Sequence, residues 1–149
     1  MWHSILIALH ALTGTAALVA GLVAHRGRIL FEVYLWSLVA AVTFLAAAVA
    51  EEWGRLDSVS RALFTAFVAL GLVMLWLAAA ARRLPLSPAY VDRVGFTLVA
   101  LFDAFVVITV LNVGAPVALV VASGVLVAIA GHVGLRAAKA RQRETPHAR

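Results

Sequence analysis

The chain has no cysteine. It can therefore form no disulfide, no thiolate metal site and no cysteine nucleophile, and it carries no sign of its redox compartment. Charge is also scarce, at 13% of residues. No soluble domain of 149 residues hides the apolar surface that remains when 64% of the chain is hydrophobic and mean hydropathy is +1.04. The apolar runs are continuous and not alternating, which excludes a transmembrane barrel. Glycine-rich phosphate loops are missing. So is any Ser or Thr set beside a His and an acid at a spacing that suits hydrolysis.

What is present is a series of five long apolar runs. Each is close to the 20 residues that a helix needs to cross a hydrocarbon core about 30 Å thick. The expected fold class is all-α, a polytopic transmembrane bundle of five helices. The spans fall at about residues 4–24, 29–50, 62–81, 94–113 and 116–135. Together they form one transmembrane domain, residues 1–135, followed by a basic tail, residues 136–149. Nothing basic precedes the first run, so it reads as an uncleaved span, not a secretory signal.

The breaks between runs have local causes. His25-Arg26-Gly27-Arg28 is a short basic turn. Gly54 suits a helix stop, and Asp57 or Ser58 can cap the third helix. Leu84-Pro85-Leu86-Ser87-Pro88 cannot continue a helix, and Ser87 before Pro88 is a good start for the next, through a short interfacial turn at Tyr90 and Asp92. Only Gly114-Ala115 separates the fourth run from the fifth, so these two form a tight antiparallel hairpin. The tail is read as losing its structure beyond its first turns.

Charge gives the orientation. One side of the five-span arrangement holds Arg26, Arg28, Arg82, Arg83, Arg93, Arg136, Lys139, Arg141, Arg143 and Arg149; the other holds Arg55 and Arg61. Cytoplasmic loops carry the excess of Lys and Arg, which puts the N-terminus outside and the C-terminus in the cytoplasm of a multi-pass cell-membrane protein. The same placement accounts for the net charge of +5, so nucleic acid is not an expected partner. The expected partners are the bilayer and other membrane subunits or further copies of the chain.

Few residues at membrane depth can carry chemistry. Asp103 sits at the middle of the fourth run, among Leu98, Val99, Leu101, Phe102, Phe105 and Val106. A carboxyl there costs about 2.5–3.5 kcal/mol on insertion scales, so it should face protein or trapped water. His10 lies roughly 6 Å outward of the centre of the first run, at 1.5 Å per residue. It shares a face with Thr13, Ala17 and Gly21, small enough to admit a neighbouring helix. Gly124, Ala128 and Gly131 give the fifth run a similar face. His10 and Asp103 form a candidate buried polar or proton site. The plainer reading is a pair that fixes helix packing; the functional one is a proton or ion path.

His25, Glu32 and His132 form a second candidate cluster, at matching depths on the cytoplasmic side. Snorkelling and interface anchoring explain it simply; a shallow metal site or the mouth of a proton path is the alternative. No His-x-x-x-His or Glu-x-x-His spacing supports metal. Bis-histidine haem needs facing histidines at one depth. His3 and His10 have no outer partner, and His25 with His132 sit at the membrane edge. No catalytic residue, metal or cofactor is assigned.

The run Leu9-His10-Ala11-Leu12-Thr13-Gly14, then Gly21, Arg26-Gly27-Arg28 and Tyr34, resembles a family of small multi-pass bacterial and archaeal membrane proteins of unknown function. Ala104-Phe105-Val106-Val107 and the turn with Pro116 resemble that family's closing helix pair. The resemblance implies a multi-pass fold and no activity. Such proteins carry a second histidine after the basic turn, where this chain has Ile29-Leu30-Phe31. Two functions stay open: a non-enzymatic accessory subunit of a membrane complex, which is preferred, and a small transporter or proton conductor using Asp103 and His10.

Overall fold

The structure is a computed structural model that describes residues 2–144. All of its regular structure is helical. Helix α1 runs Trp2–Val23, and a single turn of 3-10 helix, Ala24–Arg26, leads to α2, Arg28–Glu52. Then come α3, Ser58–Ala81, α4, Pro88–Asn112, and α5, Val117–Glu144. All five are long and apolar enough to cross a membrane. A helix is the natural form for such runs, because it satisfies its own backbone hydrogen bonds where no water can.

The helices extend beyond the apolar runs, and at the starts of α3 and α4 a polar side chain caps the extension. Asp57 caps α3: its Oδ1 accepts from the amides of Val59 and Ser60, at 2.9 and 3.0 Å, and its Oδ2 from the Ser60 hydroxyl at 2.8 Å. That starts α3 at Ser58, four residues before the apolar run. The bonds from Ser60, amide and then hydroxyl, hold the Asp57 carboxyl below its usual range. Ser87 accepts from the Tyr90 amide at 3.4 Å, and α4 begins at Pro88. Tyr90 and Asp92, expected in the turn through which this helix starts, lie in the first turns of α4.

At the far end α5 continues through Arg136 to Glu144, where the sequence suggests that structure fades. Ala, Arg, Lys and Gln are good helix formers, so the end of the apolar pattern is not the end of the helix. Lys139 reaches back to Asp92 of α4, at 2.6 Å. The last five residues of the expected tail, 145–149, lie outside the described residues.

The chain divides into two compact units, Met1–Ala79 and Ala80–Arg149. In the first, α1 and α2 pack along their length. Small residues of α1, Ala17, Ala20 and Gly21, with Ala24 in the turn, are buried beside Phe31, Tyr34, Leu35, Leu38 and Ala41 of α2. Tyr34 and Leu38 are fully buried, and the Phe31 and Tyr34 rings meet edge to face with centroids 5.6 Å apart. Val42 of α2 covers Gly71 of α3: a Cβ there would lie 3.0 Å from a Val42 methyl.

In the second unit, α4 and α5 form the expected antiparallel hairpin. Gly114 takes φ +74° at the turn, the left-handed region that favours glycine. The contact is a regular ladder. Gly95 of α4 lies against Leu135 of α5, Val99 against Gly131, and Asp103 and Val107 against Gly124. Four-residue steps on α4 thus form a ridge that sits on the glycines of α5. Ala128, expected on that face from sequence, is exposed.

Replacing Gly131 by valine should lower the unfolding free energy by about 1–3 kcal/mol, because a Cβ at that position collides with the Val99 side chain. Gly134→Ala, with nothing within 4 Å, should not. Titration with a denaturing detergent compares the two. Equal midpoints would contradict the close α4–α5 approach.

Candidate functional site

The two mid-span polar residues stand in different units and have different surroundings. His10, on α1, is half-buried. Its Nδ1 lies 2.9 Å from the backbone oxygen of Ala41 on α2. A carbonyl oxygen only accepts, so Nδ1 carries the hydrogen, and in the neutral ring Nε2 is left as an acceptor. The Ala41 carbonyl belongs to a continuous helix, so His10 adds a cross-helix bond to a group already held within α2. Next to it, the Thr13 hydroxyl donates back to the Leu9 carbonyl at 2.7 Å. Thr13 therefore needs nothing from a neighbouring helix.

Asp103 is half-buried in the α4–α5 seam. A Cβ on Gly124 would lie 3.5 Å from its Oδ1, an ordinary contact, and a tighter 3.3 Å from a Val107 methyl, so the carboxyl lies against the Gly124 turn of α5. Oδ1 is buried and has no hydrogen-bond partner among the described residues. The sequence argument that this carboxyl turns from lipid toward protein agrees with its place on the α5-facing ridge.

The second candidate cluster divides as well. His25 lies exposed in the turn after α1, and Glu32 is half-buried in the second turn of α2. Both belong to the first unit, whereas His132 is an exposed residue of α5 in the second. Among the described residues no three His, Asp or Glu side chains are grouped so that they could hold a metal ion together.

Besides the local Arg55–Glu52 pair at 3.0 Å, two contacts of an acid with a basic group on the neighbouring helix escaped the sequence reading. His3 Nδ1, at the start of α1, stands 3.9 Å from Glu51 at the end of α2. This is beyond hydrogen-bond length, and that nitrogen has no hydrogen-bond partner. The other is Lys139 with Asp92. Both follow from antiparallel pairing of chain neighbours: the first turn of one helix meets the last turn of the next. The sequence signal was available, since the short connections already imply that pairing. At the start of α3, Arg61 donates to the Trp53 carbonyl at 3.1 Å and lies over the Trp53 ring at 5.7 Å. That ties the α2–α3 connection to the helix it leads into.

No family model, curated protein or solved structure matches the chain, so its residues and geometry carry the functional reading.

His10→Leu keeps the side-chain bulk and removes the bond to Ala41. Its expected cost is about 0.6–1.7 kcal/mol, the range found for hydrogen bonds between membrane helices. Unfolding in mixed micelles measures it. An unchanged midpoint would show that the α1–α2 pair does not depend on the histidine.

Proposed function

We propose that the chain is a non-enzymatic integral membrane protein, an accessory subunit that recognises its partners within the plane of the cell membrane. The observation that carries this reading is how little chain lies outside the helices. Between them only residue 27 and residues 53–57, 82–87 and 113–116 remain. With no extramembrane domain in the described residues, recognition must come from helix faces. Those faces are apolar and open: Leu22 is 61% exposed, Trp76 68% and Leu126 66%. In a membrane, such side chains meet lipid or another helix with similar ease.

The orientation that fits the charge count has the N-terminus outside and the C-terminus in the cytoplasm. The motif around His10 is in keeping with kinship to the small multi-pass proteins that the sequence resembles. His10 supports a packing role, since its ring bonds α1 to α2.

One observation favours the second reading, proton or ion conduction. The Asp103 Oδ1 is buried at mid-span and unpartnered, and ionisable groups so placed mark transport paths in many membrane proteins. Two measurements separate the readings. Under the subunit reading, gentle detergent extraction from native membranes recovers other membrane proteins at fixed stoichiometry with the tagged chain. Purified protein in liposomes then gives no pH-driven proton flux above empty vesicles, and Asp103→Asn changes stability by less than about 1 kcal/mol. Flux in the wild type, lost in the Asn variant with unchanged stability, would replace the subunit reading with the conducting one.

A further inference from the structure

A shallow concavity lies on the outward face of α2. It is a groove of about 420 Å³, lined by Arg28, Ile29, Glu32, Val33 and Trp36. These residues stand opposite the buried face of Phe31, Tyr34, Leu35 and Leu38. The groove's wall is almost wholly apolar, with Ile29 81%, Val33 47% and Trp36 63% exposed. Its polar groups are gathered at one end. Arg28 lines the end nearest the start of α2; Arg26, two residues before it, and His25 are exposed. Gly27, the N-cap of α2, makes no side-chain capping bond, so the first amides of the helix also face that end. Glu32 is the one acid in the groove, one turn further in, and it has an interaction partner of its own.

We propose that this groove binds one anionic phospholipid. The phosphate sits at Arg28 and Arg26, and an acyl chain runs along Ile29 and Val33 to the Trp36 ring. Charge complementarity selects the occupant. Two guanidiniums at the mouth of an apolar channel match a headgroup with net negative charge above a hydrocarbon tail. A peptide helix would leave the arginines unsatisfied unless it carried acids at the membrane edge, and a zwitterionic lipid would bring its own cation to them. The groove also has the direction that a lipid needs, polar end at the start of the helix and apolar length toward its middle. The inference rests on the membrane reading above.

Trp36 supplies the probe. With Trp2, Trp53 and Trp76 changed to phenylalanine, the full-length protein is reconstituted in phosphatidylcholine vesicles. Small equal fractions of phosphatidylglycerol or phosphatidylcholine with brominated acyl chains are then added. The expected result is stronger quenching of Trp36 by the brominated phosphatidylglycerol. Arg28→Gln and Arg26→Gln should each reduce that preference about fivefold, the worth of one basic side chain near an anionic surface. Arg136→Gln, an exposed arginine of α5, should leave it unchanged, and so should added inorganic phosphate. Equal quenching by the two lipids would overturn the site while leaving the membrane reading intact. Loss in Arg136→Gln as large as in Arg28→Gln would overturn it too, as diffuse surface charge. Displacement by phosphate would overturn it in favour of a free-anion site, and no quenching by either lipid would overturn both readings.

Discussion

A polar group in hydrocarbon must find its partner within the protein, and this single constraint orders the chain. It makes every apolar run a helix, since only a helix satisfies its own backbone over that length. It also sorts the side chains. Thr13, Thr43 and Thr109 each return their hydroxyl proton to a carbonyl four residues back in the same helix, at 2.7–2.8 Å. Charged side chains collect at the helix ends, where Asp57 caps α3 and Lys139 meets Asp92. His10 and Asp103 test the rule at depth: His10 finds the Ala41 carbonyl, whereas one Asp103 oxygen has no hydrogen-bond partner among the described residues.

Small residues let the rule operate. Hydrophobic burial does not draw helices together in lipid, so close approach and dispersion must do so. Ala17, Ala20 and Gly21 bring α1 near enough to α2 for the His10 ring to reach a backbone oxygen. Gly124 and Gly131 allow the close approach in the hairpin, where a Cβ on Gly131 would collide with Val99 and the Asp103 carboxyl lies against Gly124. Asp103 and Gly124 thus meet in one seam: a Cβ on Gly124 would press on a Val107 methyl at 3.3 Å and reach the carboxyl at ordinary contact distance.

Much of this was legible in the sequence, because it depends on patterns of one residue type. Five runs of the right length gave five helices, and Gly114-Ala115 gave the hairpin. The small-residue face of α1 was readable from the spacing of His10, Thr13, Ala17 and Gly21. Other features needed coordinates. Ala128 has the size of a packing residue, yet the ridge on α4 advances in steps of four and meets Gly124, Gly131 and Leu135, leaving Ala128 outside. The helical course of Arg136–Glu144 was hidden because hydropathy reports where apolar residues end, not where helix propensity does. The partner of His10 was hidden for a different reason. A backbone carbonyl has no sequence signature, so the Nδ1 bond to Ala41 could not be read from the residues.

Five helices are long and apolar enough to cross a membrane, and the topology we propose puts their basic connections on the cytoplasmic side. The absence of native cysteine makes the most direct measurement clean, since single cysteines can be introduced without background. Four exposed connection residues serve: Gly27, Gly54, Leu86 and Val113. In intact cells a membrane-impermeant maleimide should label Gly54→Cys and Val113→Cys and should spare Gly27→Cys and Leu86→Cys until the membrane is opened. Labelling of all four in intact cells, or of the complementary pair, would contradict the account.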